Sequence, residues 1–207
     1  GVPDPASTFV PSFLSLEEIS AAVSEGARLG IPTAAHCIGG QGLKDCIDGG
    51  VDVIEHMYMA SEQDVERLAA SRCVVDLTSG IFLDPSREEF LSPANALKVR
   101  LNRSRVRENV ARIIKARLPF VLGTDAYHGF LYREVGYAVE LGAAPVTAIQ
   151  GVTSRAARVC RLEDRIGKLE NGMEADIIAV EGNPLEDVSR LSQVGLVMKG
   201  GVVYRQP

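Results

Sequence analysis

Short apolar runs alternate with longer amphipathic stretches along the chain. Four of the apolar runs are nearly continuous, at 31–37, 51–56, 73–78 and 120–125. Unbroken runs of this length are expected for strands of a parallel sheet that is covered on both faces. The stretches between them have helical periodicity, and such alternation is typical of repeated βα units. The pattern therefore predicts an α/β fold.

Capping and breaking residues indicate where the first helix begins and ends. Ser15 and Glu18 have the spacing of a capping box, and Gly30 follows the last periodic position. The same periodicity predicts further helices over 42–47, 61–71, 93–117, 133–141 and 145–159. Between the strand at 73–78 and Pro93 we predict a proline-containing loop.

The character of the chain changes near Arg165. Beyond it, turn dipeptides such as Asn171-Gly172 separate short β runs, which we assign to Ile166 and to 176–180, 195–198 and 202–204. We therefore predict two domains. Residues 1–162 form the α/β part, and residues 163–207 contribute strands to a small β domain.

The composition is that of a globular protein. Hydrophobic residues make up 46% and charged residues 24%, and no stretch approaches the roughly 18 apolar residues of a membrane span. The net charge of −5 argues against nucleic acid as a partner, because phosphate binding depends on clustered cations. We interpret the basic run at 98–117 as a solvated helix face. Neither a membrane nor a nucleic acid is expected to bind.

The cysteines predict a reducing environment. Cys37, Cys46, Cys73 and Cys160 form no CxxC pair and lie in apolar or helical contexts. Reduced, buried thiols are the simplest interpretation, and they favour a cytoplasmic location.

Three ligand-type residues lie at the ends of predicted strands. His36 is near the end of 31–37, His56 closes 51–56, and Asp125 closes 120–125. Catalytic groups gather at the carboxyl ends of the strands in a closed parallel barrel. Imidazole and carboxylate together suit a divalent metal. Each residue alone could be a core histidine or a turn former, but the coincidence of three favours a metal site.

Three segments resemble the amidohydrolase superfamily, especially its imidazolonepropionase-like and Xaa-Pro-dipeptidase-like (prolidase) branch. They are IPTAAHCIGGQGLKDCIDGGVDVIEH, FVLGTDA and RIGKLENGMEADIIAVEGNPLEDVSRLSQVGLVMKGGVVY. The resemblance covers nearly the whole chain. It implies the C-terminal half of a (β/α)8 TIM barrel, strands five to eight, followed by part of a small β-sandwich domain.

The resemblance also implies roles for the three residues. His36 and His56 would be metal ligands, and Asp125 would be both a ligand and the catalytic group that deprotonates the attacking water and protonates the leaving amine. The implied cofactor is one or two divalent ions, zinc first. The implied reaction is hydrolysis of an amide C–N bond, in a dipeptide or an N-acyl amino acid, by metal-activated water.

Other functions stay open at this point. One is a cyclic amide or imidazolone hydrolase, another a deaminase of the same superfamily, and a third, of a different class, a catalytically inactive barrel scaffold. Metal content and turnover would separate the scaffold from the enzymes.

Several further polar residues are weaker candidates. Tyr58, Tyr127 and His128 could bind substrate, although packing explains them equally well. Arg133 could anchor a substrate carboxylate, but an arginine at a helix start is more often solvated. Glu55 should point away from His56 because side chains alternate along a strand, and we interpret it as a supporting or structural residue.

Part of the family pattern has no counterpart here. The resemblance implies a His-x-His pair after the first barrel strand and a bridging carboxylated Lys or a Glu at the fourth, and both would precede Gly1. A half barrel has open sheet edges and is not expected to persist as a monomer. We expect the missing half in cis, an inactive fragment without it, and a homo-oligomeric natural protein.

Overall fold

A computed structural model describes residues 10–125 and 128–206. Its central element is a four-stranded parallel sheet whose strands follow one another in chain order. The predicted α/β fold is confirmed, and each strand lies within its predicted range. The strands are β1 (Ala34–Cys37), β2 (Val53–His56), β3 (Val74–Leu77) and β4 (Phe120–Leu122).

Helices join the strands. They are α1 (Leu16–Leu29), α2 (Gly40–Asp48), α3 (Glu62–Ala69), α4 (Gly80–Leu83), α5 (Pro93–Lys115), α6 (Leu131–Glu140), α7 (Pro145–Gly151) and α8 (Ser154–Val159), with 3-10 turns at Pro85–Phe90, His128–Phe130 and Val188–Ser192. The predicted capping box of Ser15 and Glu18 is formed. Gly30 ends α1 with a φ of 71°, a left-handed conformation that glycine adopts without steric cost.

Three local predictions were wrong. The stretch predicted as a proline-containing loop forms α4 and a 3-10 turn, because Pro85 begins that turn and Asp84 caps it. The helix predicted over 145–159 is two helices, since Thr153 leaves the helical region with a φ of −131° and a ψ of −101°. Ile166 belongs to no strand.

The two faces of the parallel sheet differ sharply. Cys37, Ile54 and Val75 share one face, which the helices cover, and all three are buried. The opposite face carries His36, Glu55 and Asp76 in register, because Glu55 is the strand partner of both of the others. These three are exposed or half-buried. The polar side chains therefore line the face that the helices leave open.

A second, antiparallel sheet lies in the C-terminal region. It consists of β5 (Ile177–Val180), β6 (Val194–Lys199) and β7 (Val202–Arg205), in that order. Gly200 and Gly201, both with positive φ, make the turn between the last two strands. The three β runs that were predicted here are found. The domain boundary at 162/163 and the β-sandwich remain predictions.

All four cysteines are free thiols. Cys37, Cys46 and Cys73 are buried, as predicted, but Cys160 is exposed. The prediction of burial was wrong for Cys160, which lies at the C-cap of α8. Within the described ranges, no helix has the length and apolarity needed to cross a bilayer.

The basic run lies on α5, and several of its charges have partners. Arg100 and Arg103 both pair with Glu88, and Arg107 pairs with Glu140 on α6 at 2.5 Å. Much of this positive charge is therefore matched by carboxylates of the chain itself.

Candidate functional site

Two imidazole rings meet at the carboxyl ends of β1 and β2. The ring centroids of His36 and His56 are 4.5 Å apart, and the ring planes are inclined at 68°. Strand alternation alone would separate the two side chains, because His56 is the register partner of Cys37 and not of His36. His56, however, has a φ of 81°, which takes it out of the strand conformation. The structure thus brings together two of the three predicted ligands.

Left-handed backbone is concentrated at this end of the sheet. Five non-glycine residues in the described ranges have a positive φ, and His56, Met57 and Asp125 are three of them. Such conformations cost on the order of 1–3 kcal/mol each and are frequent at functional sites, where the surrounding structure holds them in place. The other two, Arg117 and Arg161, follow helix ends, where left-handed residues are common.

The orientation of the His56 ring is fixed by its neighbours. Its Nδ1 lies 2.6 Å from Thr78 Oγ1. The Tyr58 hydroxyl lies 2.6 Å from the same oxygen and donates to the Thr78 carbonyl at 2.9 Å. His56, Tyr58 and Thr78 are all at most 5% exposed. This network occupies Nδ1 and leaves Nε2 for a ligand, an arrangement typical of histidines that bind metals.

The electrostatic environment keeps His56 neutral. Burial lowers the pKa of His56 to about 4, with a further contribution from the neighbouring His36 ring, while Asp125 acts in the opposite direction. The neutral imidazole is the form that coordinates a metal. Glu55 Oε2 lies 4.0 Å from Nε2 of His56, so a carboxylate also approaches the free ring nitrogen.

Asp125 follows β4 and is exposed. Within residues 10–125 and 128–206, no three side chains of the His, Cys, Asp or Glu type converge closely enough to hold a metal ion. The two imidazoles fit a divalent ion such as zinc in donor type, but a catalytic zinc site has three protein ligands. Asp125 as a ligand therefore stays a prediction.

The half-buried side chain of Asp76 lies on the same face of the sheet as His36 and Glu55. Asp76 Oδ1 is buried without a hydrogen-bond partner within the part of the chain that the structure describes. Burial raises the pKa of Asp76 to about 6, and the charges of Glu55 and Asp125 add to the shift. Gly123 lies against this carboxylate, and a Cβ at that position would be 2.8 Å from Asp76 Oδ2. A side chain at position 123 would therefore clash with the Asp76 carboxylate, and glycine avoids this clash.

The weaker candidates have different positions. The buried Tyr58 hydroxyl lies 3.3 Å from His56 Nδ1 and also contacts both oxygens of Thr78, so it is already engaged. Tyr127 lies outside the described residues, as does the side chain of His128, whose backbone begins a 3-10 turn. Arg133 Nη1 lies 2.5 Å from Asp84 Oδ2, so its guanidinium is paired within the chain. The substrate roles of Tyr58, Tyr127 and His128 remain predictions.

Sequence reasoning missed two sets of contacts around the site. Asn109 on α5 donates to the Tyr58 carbonyl at 2.7 Å, and Arg87 and Glu134 form a fully buried ion pair. One signal for the ion pair was present in the sequence. Glu134 shares a helical stripe with Val135 and Ala138, both of which are buried, so it is a charged residue on an apolar face.

A cavity of about 260 Å³ lies at the opposite, amino end of the strands. Its lining includes Pro32, Val74 and Pro119 near the strand starts and four arginines, Arg72, Arg155, Arg158 and Arg161. His36, His56 and Asp125 do not line it. The cavity and the candidate ligands are therefore separate features of the fold.

Comparison with known sequences identifies the class of protein. The amidohydrolase family model matches residues 10–204. Ochratoxinase from Aspergillus niger is 33% identical over 212 residues, which cover 95% of this chain and 43% of that protein. Imidazolonepropionase from Desulfotalea psychrophila is 24% identical over 179 residues, which cover 81% of this chain and 38% of that protein.

Solved structures give the same result. A Xaa-Pro dipeptidase crystallised with methionine in its active site matches with a TM-score of 0.84 and 31% identity, over 96% of this chain and 50% of that one. The crystal structure of A. niger ochratoxinase matches with a TM-score of 0.80 and 30% identity, over 94% of this chain and 46% of that one. The chain belongs to the amidohydrolase family, as its sequence segments predicted, and it spans about half the length of these relatives.

Proposed function

We propose that the natural protein containing this chain is a metal-dependent hydrolase that cleaves an amide C–N bond of a dipeptide or an N-acyl amino acid. The observation that carries the proposal is the pair of imidazole rings of His36 and His56, 4.5 Å apart at the strand ends. The dipeptidase among the similar structures supports the substrate class, since a dipeptidase by its name cleaves an amide bond.

In this proposal, the four parallel strands are strands five to eight of a (β/α)8 barrel. The chain order of the strands, the family match and the half-length coverage of the relatives support that assignment. The remaining metal ligands then come from barrel strands outside these 207 residues. The three buried thiols support a reducing, cytoplasmic compartment. Assembly as a homo-oligomer is part of the same proposal.

His36, His56 and Asp125 would hold the metal, and zinc is the first candidate because neutral imidazoles and a carboxylate suit it. A divalent ion bound there supplies Lewis acidity, which brings the pKa of water toward neutrality and polarises a scissile carbonyl. Thr78 keeps the His56 ring in place through Nδ1. The Tyr58 hydroxyl contacts the same Thr78 oxygen, which restricts rotation of the His56 ring.

Asp125 carries the proton in this mechanism. Its carboxylate accepts the proton of the attacking water and delivers it to the leaving amine nitrogen as the C–N bond breaks, so one group is both base and acid. The exposed position of Asp125 after β4 supports this role because water and substrate can reach the carboxylate.

Other members of the family act on different bonds. The similarity to an imidazolonepropionase keeps a cyclic amide or imidazolone as the second substrate candidate. A deaminase of the same family and an inactive scaffold are the remaining alternatives. A panel containing dipeptides, N-acyl amino acids, cyclic amides and amino-substituted heterocycles separates the enzymatic alternatives by product.

Metal analysis and a substrate screen of the natural protein test the proposal. We expect bound divalent metal, loss of turnover after chelation, and recovery when Zn²⁺ is added back. Amine release should be strongest with dipeptides or N-acyl amino acids. A protein that binds no metal and shows no metal-restored turnover would contradict the proposal and favour the scaffold.

A further inference from the structure

We infer that Arg87 and Glu134 are positioning residues, which set the orientation of Asp125 through the backbone carbonyl of Thr124. This inference rests on the proposed function, because it concerns the group that we propose as the proton carrier. The hydrogen bonds of the two residues reach Ser79, Gly80 and Thr124. They act on the loops that follow β3 and β4.

Glu134 joins α6 to the loop after β3. Its carboxylate accepts hydrogen bonds from Gly80 N at 3.0 Å, from Ser79 Oγ at 3.2 Å and from Arg87 Nη2 at 2.9 Å. Both charged side chains are 0% exposed. Burial raises the pKa of Glu134 to about 7, and the Arg87 guanidinium counteracts this increase.

Arg87 extends the same network to the loop after β4. Its Nη1 donates to the Thr124 carbonyl at 3.1 Å, and the next residue, Asp125, has a φ of 49°. The peptide group between Thr124 and Asp125 is therefore attached to Arg87 at the point where the backbone is strained. One guanidinium thus holds Glu134 and the peptide that precedes Asp125.

The packing around this pair is tight. A Cβ on Gly80 would lie 2.3 Å from Glu134 Oε1 and 2.4 Å from Arg87 Nη2. Real Cβ atoms do not approach other atoms so closely, so the ion pair depends on glycine at this position. The loop after β3 is shaped around the two charged groups.

Stability alone is a weak reason for such a pair. The desolvation of two buried charges often cancels their attraction, and well-packed apolar residues of similar volume can be equally stable. Arginine differs from those replacements, and also from lysine, because its planar fork makes two directed hydrogen bonds at once. Here one bond reaches a carboxylate and the other a carbonyl beside Asp125, which favours a role in positioning.

The consequence for catalysis follows from geometry. A carboxylate that exchanges protons with water and amine must be held in place, and a displacement of about 1 Å can cost about 100-fold in rate. If Nη1 releases the Thr124 carbonyl, the strained peptide can rotate and carry the Asp125 side chain with it.

The substitution Arg87→Lys in the natural protein tests the inference. Lysine retains the charge beside Glu134 but cannot make both hydrogen bonds. Arg103→Lys is the matched control, since Arg103 also bridges a carbonyl, that of Phe82 at 2.6 Å, and a carboxylate, that of Glu88. Its described contacts do not include the loop after β4. Both variants are measured for kcat, KM, Zn²⁺ affinity, the visible spectrum of the Co²⁺-loaded protein, and Tm.

We expect Arg87→Lys to lower kcat by about 10- to 100-fold with KM changed by less than about twofold, because Asp125 acts on the proton and not on substrate binding. The Co²⁺ spectrum and Zn²⁺ affinity should change as well. Arg103→Lys should leave kcat, KM, Zn²⁺ affinity and the Co²⁺ spectrum unchanged. If Arg87→Lys does not fold, Glu134→Gln, which keeps the shape but removes the charge, takes its place with the same expectations.

If Arg87→Lys changes only Tm, and its kcat, Zn²⁺ affinity and Co²⁺ spectrum match those of Arg103→Lys, the inference is overturned. Arg87 and Glu134 are then a purely structural pair. The failure of the proposed function looks different. In that case, the unsubstituted protein itself binds no Zn²⁺ and hydrolyses no amide.

Discussion

In the proposed mechanism, single residues at the carboxyl ends of β1, β2 and β4 carry the chemistry. The role of Asp125 is the one that a single substitution tests most directly. Asp125→Asn replaces the carboxylate by an amide of nearly the same shape that cannot accept a proton. We expect kcat to fall by at least about 100- to 10,000-fold, the usual contribution of general acid–base catalysis. Tm should stay close to that of the unsubstituted protein. Normal turnover in this variant would refute the role of Asp125.

Thr78 supports the His56 ring through a single oxygen. Thr78→Val keeps the side-chain shape but removes the Oγ1 contacts to His56 Nδ1 and to the Tyr58 hydroxyl, which keeps its bond to the Thr78 carbonyl. Loss of such a supporting contact typically costs about 10- to 100-fold in metal affinity or activity. We therefore expect weaker Zn²⁺ binding by chelator competition. Thr153→Val, which removes only a bond to the Ile149 carbonyl, serves as control and should bind Zn²⁺ normally.

Asp76 should make stability depend on pH. Burial raises the pKa of Asp76 to about 6, above the value of about 3.9 in an unfolded chain. The native state therefore binds this proton more tightly, and the stability it contributes is complete below pH 3.9 and is lost as the pH rises through about 6. In metal-free natural protein, we expect Asp76→Asn to flatten the decline in Tm between about pH 4 and pH 6.

The control for this pH dependence is Asp164→Asn, since Asp164 is exposed. Its Tm profile should parallel that of the unsubstituted protein. A parallel profile for Asp76→Asn as well would mean that Asp76 is not the group that titrates in this window.

The sequence predicts which residues lie at the strand ends but not how their backbones turn. His36, His56 and Asp125 could be located because apolar runs mark the strands. The φ of 81° at His56 could not, because no glycine or asparagine signals a left-handed residue there. The His56 side chain contacts Thr78, which is 22 residues away in sequence, and such a tertiary contact exists only in the folded chain.

Among the secondary-structure elements, α5 has a direct connection with the site. Asn109 on this helix donates to the Tyr58 carbonyl at 2.7 Å and is itself contacted by Arg112 at 2.5 Å. The helix thereby fastens the segment that follows His56, where Met57 also has a positive φ. Packing of α5 and the geometry of a strand end are therefore linked.

Asn109→Ala tests this link. It leaves a buried carbonyl without its donor, which should cost about 1–3 kcal/mol in the free energy of unfolding, measured by denaturant titration. Zn²⁺ affinity should fall as well because the segment after His56 loosens. Asn95→Ala, on the exposed first turn of the same helix, should change neither quantity appreciably. Unfolding free energy and Zn²⁺ affinity unchanged in Asn109→Ala would rule out the link.

The elements themselves were predictable to different degrees. Helix α1 could be predicted with its exact capping residues, because Ser15, Glu18 and Gly30 act locally. The 3-10 turn at Pro85–Phe90 could not, since the proline that suggested a loop instead begins the turn, and the buried position of Arg87 depends on distant Glu134. Helix ends can be predicted from local capping residues, whereas the conformation of a polar segment depends on residues that are distant in sequence.

At the scale of the whole molecule, the parallel sheet has two edges, β1 and β4, that pair with no other strand among residues 10–125 and 128–206. Parallel sheets are normally covered on both faces. In the described ranges, Ala34 and His36 are exposed on the face opposite the helices. The family relatives are about twice as long as this chain. These facts support the expectation that the second barrel half covers this face and pairs with both edges.

A comparison of residues 1–207 alone with the natural protein tests that expectation. Open edges and an uncovered face favour association, so the 207-residue chain should elute on size exclusion with light scattering as species well above its 22.2 kDa mass. It should also lack turnover, because the ligands proposed to lie on other strands are absent. Co-expression of the preceding region as a separate polypeptide should restore both a defined mass and activity. A monodisperse 22.2 kDa monomer that binds Zn²⁺ and hydrolyses amides unaided would show that the half barrel is complete as a catalyst.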